Sequence, residues 1–491
     1  MSKKDKNQDT SILPKVIAHA KEYGFVFPSS EIYDGLQAVY DYGSNGVELK
    51  NNLKEYWWKA MTQLHSNIVG IDASIFMHPT TWKASGHIDS FNDPMLDNKD
   101  SKKRYRADNL LEDKAQEYEK NGEKDKAEKL LTEMNRLLSA EDLTGVRQLI
   151  IDEGITCPVS GTANWTEVRQ FNLMFSTQTG AVADAASTIY LRPETAQGIF
   201  VNFLNVQKSA RQKVPFGIAQ IGKAFRNEII ARQFTFRMRE FEQMEMQFFV
   251  KPGTEIEWYE QWKEKRMAWH KSLGLDPNNL RFHDHEKLAH YANAAADIEF
   301  NFPFGFKEVE GIHSRTDFDL SKHQEFSKKK QQYHDPEAGN YIPYVVETSI
   351  GADRLFLMML CNAFTEEEYG EGDKKKMRLY LKFNPALAPV KAAILPLVKK
   401  DGLPEKAMQL FDDLKFDYKV IYEEQAAIGK RYTRQDLIGT PFCFTVDHQT
   451  LEDDMVTVRH RDSTDQERIN INQVKTWLDE RVSMKELLKS L

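Results

Sequence analysis

The chain has 491 residues, enough for two or three domains and a sizeable core. A hydrophobic content of 41% with 11% aromatics excludes a disordered chain, and no apolar run approaches the roughly 18 residues of a membrane span. The net charge of −8, from 66 basic and 74 acidic side chains, weakens the reading of a generic nucleic-acid binder. It leaves room for a local basic face, since the attraction acts within about one Debye length.

The first ten residues, MSKKDKNQDT, are charged with no apolar segment behind them, so no secretory signal is expected. Cys157, Cys361 and Cys443 lie far apart, offer no disulfide framework and fit a reducing, cytoplasmic setting. GFVFPSSEIYDG (24–35) and DYGSNGVELKNN (41–52) open an α/β region that resumes near residue 150 and runs to about 385. Between its two parts, AQEYEKNGEKDKAEKLLTEMNRLL (115–138) repeats Leu130, Leu131, Met134, Leu137 and Leu138 at helical spacing among Lys and Glu. That pattern predicts an amphipathic helical pair broken at Asn121-Gly122.

FRNE (225–228) and FRMREFEQME (236–245) follow, read as strand, loop and strand. At a period of two, the first strand puts Arg226 and Glu228 on one face. The second puts Phe241, Gln243 and Glu245 on one face, with Met244, Met246 and Phe248 on the other. An apolar back and a polar front carrying both charge signs and an aromatic suit a sheet that holds a charged, ring-bearing ligand. A cross-strand ladder of salt bridges would explain the charges, but not the Arg-x-x-x-Phe spacing of Arg237 and Phe241.

Next, HDHEKLAH brings His283, His285 and His290 together, but structural zinc wants four ligands at spacings such as Cys-x-x-Cys. Cys157 has Ser160 three residues on, so zinc is not expected and the histidines read as hydrogen-bonders. GIHSRTDFDL (311–320) leads into a polar stretch, 321–340, expected as a surface loop. YIPYVVETSIGADR (341–354) reads as a strand running into a helix start at Arg354. Asn384-Pro385 and Ala388-Pro389 mark a linker. Beyond it, β-rich runs at 390–398, 416–424, 440–447 and 455–461, with helical 404–414 and 472–482, predict a small α/β sheet.

FRNE, the Arg237–Phe241 pair and SIGADR together resemble motifs 2 and 3 of class II aminoacyl-tRNA synthetases. With TANWTEVRQFNLMF (162–175), LRPETAQGIFVNF (191–203), GIHSRTDFDL and the two N-terminal stretches, the chain resembles the glycyl-tRNA synthetase family of the homodimeric type. The likeness runs from about residue 20 to the C-terminus. It implies an α/β (α+β) fold: an antiparallel sheet flanked by helices, with catalytic parts at 1–96 (motif 1) and 150–385 (motifs 2 and 3). A helical insertion is expected at 97–149, either a surface pair or an approach to the tRNA acceptor arm, and an anticodon-binding domain at 386–491. The implied activity is glycine–tRNA ligase, joining glycine to ATP and then to the 3′ end of tRNA(Gly), in a homodimer, with Mg²⁺ on ATP and no zinc. Asp97 and Asp100 stand where zinc-bearing relatives carry thiols. Ser44-Asn45 and Val309 depart from the family's Pro-Leu and Leu. A non-catalytic, tRNA-binding relative is the competing reading, and the retained Arg226, Arg237, Phe241 and Arg354 argue against it.

The resemblance carries roles onto residues. Arg226 would bind the α-phosphate of ATP, Phe241 would stack on adenine, Arg354 would reach the γ-phosphate, and Arg237 would approach the triphosphate. Around them Asn227, Glu228, Phe236, Met238, Arg239, Glu240, Glu308, Val309, Gly351, Ala352 and Asp353 would line the ATP site, with Glu308 a candidate for Mg²⁺. Glycine offers no side chain to grip, so its site must hold an ammonium and a carboxylate and forbid anything on Cα. Glu194, Glu245 and Ser349 are assigned to the ammonium and Glu347 to the wall against Cα, with Glu242, Gln243, Met244, Thr348 and Ile350 alongside. Arg106 would meet the carboxylate, with Arg104 as the alternative. Arg315 is a weaker candidate, a salt bridge to Asp317 or Asp319 being equally open. Lys430, Arg431 and Arg434, beside Tyr432, are expected as a basic loop for anticodon bases or simply a solvated one. Arg459, His460 and Arg461 form a second basic cluster.

Overall fold

The computed structural model describes residues 12–180, 188–229, 233–285, 288, 292–369 and 375–491. The charged N-terminal decapeptide and His290 lie outside the described residues. Contacts divide the chain into two compact units: one of Met1–Ile75, Glu194–Ala224 and Ala231–Leu491, the other of Phe76–Pro193 and Phe225–Ile230.

The larger unit is built on a seven-stranded sheet. Its strands are β1 (Ile68–Gly70), β2 (Phe216–Phe225), β3 (Glu240–Val250), β4 (Leu280–Asp284), β5 (Ala294–Phe302), β6 (Gly305–Thr316) and β7 (Tyr344–Gly351). They lie in the order β4-β5-β6-β7-β3-β2-β1. β1 runs parallel to β2, while the pairs from β4 through β5, β6 and β7 to β3 are antiparallel. Alternation sorts the faces. Met244, Met246 and Phe248 of β3 join Ile312 of β6 and Ile350 of β7 in the main core, on the back face that the sequence pattern indicates.

Helices α1 (Ile12–Glu22), α2 (Ser44–Thr62), α3 (Ala196–Val201), α4 (Glu255–Ser272), α5 (Phe318–Ser327) and α6 (Ala352–Ala363) belong to the same unit. After its first turn α6 reads LFLMML and is buried throughout Leu355–Leu360, the pattern of a core helix rather than a surface one. α2 starts hard against the preceding chain. A Cβ at Gly46 would stand 1.8 Å from the Phe25 carbonyl oxygen, so only glycine permits the approach.

Two bulges in β6 matter for the site. Ile298 pairs with Glu310 and Glu299 with Glu308, leaving Val309 as the extra residue. Glu310 therefore turns into the core, between Arg266 and His270 of α4, while Glu308 is exposed. Against β7, Ser314 pairs with Val346 and Thr316 with Val345, so Arg315 is the second extra residue.

Downstream, β8 (Ala392–Pro396), β9 (Val420–Tyr422), β10 (Phe442–Val446), β11 (Met455–His460) and β12 (Gln466–Asn470) form a five-stranded sheet in the order β9-β8-β10-β11-β12. Helices α7 (Leu403–Leu414), α8 (Ile428–Ile438) and α9 (Val474–Val482) accompany it. The expected linker is packed chain. Ala386, Leu387 and Ala388 are buried, and the Lys391 ammonium donates to the carbonyls of Ala386 and Ala388 at 2.6 and 2.9 Å. Helix α10 (Met484–Lys489) lies on the main core through Met484, Leu487 and Leu488, and the Tyr56 hydroxyl donates to the Leu487 carbonyl.

In the smaller unit, helices Ala107–Lys120 and Lys124–Ser139 form the pair read from the sequence, broken where Gly122 adopts φ +82°. Leu130, Met134 and Leu137 are buried with Leu110, Leu111, Val146 and Ile150, the last two from a third helix, Leu143–Asp152. Three sequence expectations are corrected. Arg226–Glu228 leave the strand, because the Phe225 and Asn227 amides donate to the carbonyls of Arg192 and Leu173. The stretch 321–340 is the end of α5 followed by a ribbon of Tyr333–Asp335 with Gly339–Tyr341, anchored by buried His323 and Tyr333. The basic segment at 428–438 is helical, and its side chains are described with the site.

Candidate functional site

Register assembles a polar cluster on the front of β3, β7 and β6. Gln243, Glu245 and Gln247 stand opposite Gly351, Ser349 and Glu347, and on the other side Ser349 and Glu347 stand opposite Gly311 and His313. Glu245 is buried and accepts from the Ser349 hydroxyl at 2.8 Å and the Gln243 amide at 3.2 Å. Its other oxygen accepts from the Thr195 hydroxyl at 2.5 Å. Glu194, one residue before the α3 N-cap, accepts from the Gln197 amide at 3.0 Å.

Glu347 is equally buried. His313 Nδ1 lies 2.9 Å from one of its oxygens, Gln247 Nε2 donates to the other at 2.7 Å, and Arg315 Nη1 is 3.2 and 3.3 Å from the two. Arg315 is held in turn by Asp319, Nε to Oδ2 at 2.9 Å and Nη2 to Oδ1 at 3.2 Å. Of the two salt bridges left open by the sequence, the one to Asp319 forms, and the same arginine also serves Glu347.

These contacts divide the carboxylates electrostatically. Burial, with the charges of Glu347 and Glu194 nearby, pushes Glu245 up to about 8. For Glu347 burial works the same way, but the Arg315 guanidinium and His313 outweigh it and hold the group well below the usual carboxylate range. Acids packed together in this way raise the proton affinity of one of them, here Glu245.

Along the same sheet, Arg354 in the first turn of α6 lies 3.0 Å from the Glu308 carboxylate, donates to the Phe236 carbonyl at 3.2 Å and rests 4.6 Å above the Phe236 ring. Phe241 is half-buried on the front of β3, and Arg237 is half-buried at the turn before it. A Cβ at Gly351 would touch the Arg354 side chain at an ordinary 3.6 Å, so that glycine is not forced by the protein's own packing.

Several side chains expected in the site point elsewhere. Phe236, Met244, Val309, Ile350 and Ala352 are buried in the main apolar core and Met238 is buried too, while Thr348 faces the back with Met246; for the strand residues alternation and the bulge send them there. Asp353 is tied to Tyr42, Lys50 and the Glu242 amide; Glu242 to Lys50 and Lys54; Glu240 to Lys223. The Arg239 amide and guanidinium donate to the Ala38 and Gln37 carbonyls. These are structural contacts of motif neighbours.

In the smaller unit the Arg226 guanidinium donates to the Pro193 carbonyl at 3.0 Å and lies 5.5 Å over the Phe91 ring. Arg106 is half-buried between Asp93 and Asp108, and the Glu228 charge adds to their pull on it. Arg104 is more exposed and paired with Asp97. Cys157 is buried and takes contacts from the hydroxyls of Ser101 and Tyr105. His285 hydrogen-bonds Asp297 and His283 is exposed. Among the described residues no cluster of three His, Cys, Asp or Glu could hold a metal ion.

On α8, Lys430 is exposed and Arg434 pairs with Glu423. Arg431 is withdrawn from any RNA surface: it is 1% exposed, and its guanidinium caps the carbonyls of Pro396, Leu397 and Glu423. Arg459 and Arg461 are likewise buried, on Asp436 and on the Gly439 and Phe383 carbonyls. Sequence reasoning missed Thr195, Gln247 and His313. Thr195 adjoins Glu194, and His313 alternates with Gly311 and Arg315, which was the available signal.

The chain matches the model of a tRNA synthetase class II core domain (G, H, P, S and T) over residues 178–363. It matches a glycyl-tRNA synthetase insertion domain over 93–133 and 123–173, and an anticodon binding domain over 391–481. It is 56% identical to a glycine–tRNA ligase of Chlorobaculum tepidum, covering 94% of this chain and 98% of that one. Against those of Staphylococcus haemolyticus and Macrococcus caseolyticus the identity is 54% and 52%, over 95% and 97% of this chain and 98% and 99% of theirs. Among solved structures, a prolyl-tRNA synthetase from Cryptosporidium parvum complexed with halofuginone and AMPPNP superposes with a TM-score of 0.60. It covers 97% of this chain and 77% of that one at 12% identity, a likeness of fold alone.

Proposed function

The chain belongs to the glycine–tRNA ligase family of class II synthetases, and from that premise we propose a role for each group of the cluster. The reaction activates glycine with ATP to glycyl-adenylate and pyrophosphate, then transfers the glycyl group to the 3′ end of tRNA(Gly). Glycine's carboxylate is already an anion, so the first step asks for alignment and charge neutralisation, not a general base. Glu194, Glu245 and Ser349 receive the ammonium. Glu347 stands against Cα, where a methyl would meet and desolvate its carboxylate.

The observation that carries this reading is the convergence of the Glu194, Glu245 and Glu347 carboxylates, whose like charges push Glu245 up and which a substrate cation would relieve. Arg354 and Arg237 serve the triphosphate and Phe241 the adenine ring. Arg226 and Arg106, which belong to the smaller unit, keep their assignments to the α-phosphate and the glycine carboxylate on the strength of their motifs. Mg²⁺ is expected on the ATP phosphates and would supply further charge neutralisation there. Glu308 suits it, being an exposed carboxylate, since Mg²⁺ takes one or two protein carboxylates besides phosphate oxygens. Glycine-dependent exchange of pyrophosphate into ATP tests the assignment. Arg226→Ala should lower it by about 10³-fold, the scale of losing one group aimed at developing charge. Full exchange in that variant removes Arg226 from the mechanism.

The proposed division is catalytic at 1–96 and 150–385, insertion at 97–149 and anticodon-binding at 386–491. In the last, Lys430 and Arg434 are the groups proposed to meet RNA. A homodimer is the proposed assembly, supported by Ile32, Tyr33 and Leu36, which are 87, 80 and 56% exposed on the motif 1-like segment. Light scattering of Ile32→Glu should report monomer; an unchanged dimer removes that face from the interface. No helix of the described residues is long and apolar enough to cross a membrane. A cytoplasmic location is proposed from the three unpaired cysteines.

A further inference from the structure

Of the three donors that hold Glu347, two are locked by packing. Gln247 is fully buried, and Arg315 is anchored by Asp319. His313 is the accessible one, with 22% of its side chain exposed, and it stands directly across from Glu347 in register. Its ring lies along the strand over Gly311, where an added Cβ would come within 3.0 Å of the ring Cε1. Glycine two residues back on the same face therefore clears the space that lets the imidazole reach the carboxylate. A side chain that merely covered surface would need neither the cleared floor nor a buried acid opposite it.

We propose that His313 is a positioning residue that sets amino-acid selectivity by holding Glu347 in one orientation against the substrate's Cα. This rests on the reading of Glu347 as the wall. A carboxylate that can swing opens room for one methyl, and a site one methyl too large separates its substrates by only about 10- to 200-fold. Among the described residues, the charged and titratable groups facing His313 are Glu347 on β7, Arg315 on its own strand, Asp297 on β5 and His285 just beyond β4. Burial lowers the proton affinity of the ring, but the hydrogen bond and charge of Glu347 raise it further.

Pyrophosphate exchange with glycine and with alanine tests the role in the wild type, His313→Ala, His313→Asn and Glu347→Gln. His313→Ala should narrow the glycine-to-alanine ratio of kcat/KM by roughly tenfold. His313→Asn, whose amide nitrogen replaces Nδ1, should restore most of it. A wild-type ratio in His313→Ala, or an equal loss in His313→Asn, overturns the proposal. Glu347→Gln separates the two levels. Relaxed selectivity there with none in His313→Ala sinks only the role of His313, whereas unchanged selectivity in both sinks the wall as well. If His313→Ala does not fold, His313→Leu, closer in volume, takes its place against the same ratio.

Discussion

On the five-stranded sheet Arg459 lies 2.9 and 3.0 Å from the two oxygens of Asp436, which Arg378 also meets at 3.1 Å, and Arg461 is spent on backbone carbonyls. At the seven-stranded sheet Glu245, Glu347, Arg315 and His313 cluster with Glu194, just before α3, and Asp319 of α5. Both regions bury charge. The first pairs its charges within the protein, while in the second burial and the neighbouring Glu347 and Glu194 charges push Glu245 up. Burial alone therefore does not single out a candidate site; a carboxylate strongly shifted by like charges is the better marker.

Removing the arginine from each region gives the largest contrast. Arg315→Leu strands Glu347 and Asp319 and should cost about 3–5 kcal/mol in denaturant unfolding, with glycine-dependent exchange lost. Arg459→Leu leaves Asp436 with Arg378, so a smaller cost of about 1–3 kcal/mol is expected, with exchange per folded molecule unchanged. Equal costs and equal activities would erase the distinction.

A pH series sharpens it. Burial and its acidic neighbours raise Glu245 to about 8, so below that pH an incoming ammonium is expected to displace a proton. Glycine KM should fall by up to about tenfold per unit between pH 6 and 8 and level off above it. The sign for stability is opposite to that of an ordinary carboxylate. The protonated acid favours the folded, empty protein at low pH, and that contribution is lost as pH climbs through about 8. A KM that stays flat across this range would mean that Glu245 already binds as the anion.

The smallest effect belongs to the balanced region's surface. Lys430→Glu should weaken tRNA charging by roughly three- to tenfold at low salt, about 1 kcal/mol, with exchange untouched. Equal charging would take Lys430 off the RNA path.

Much of the site was legible because strand alternation is a local rule. Once Glu245 and Phe241 were placed on one face, the apolar Met244 and Met246 had to take the other, and they do. The same rule misplaced Arg226 and Glu228, since nothing in FRNE announces that the Arg192 and Leu173 carbonyls capture the strand's amides. It was also blind to the bulge at Val309, which separates Glu308 from Glu310 although they stand two residues apart. Arg431 misled for a related reason. A basic residue looks solvated until the fold shows three carbonyls converging on its guanidinium.

By itself, then, the sequence determined the family, the two sheets and the acids and arginines of the motifs, because these are written in contiguous residues and fixed spacings. Only the tertiary structure decided which acid is pushed toward its protonated form, which arginine is structural and which histidine faces the Glu347 carboxylate. Those outcomes depend on strand register, bulges and burial, which bring together groups from residues 194 to 349 whose mutual distances no local pattern encodes.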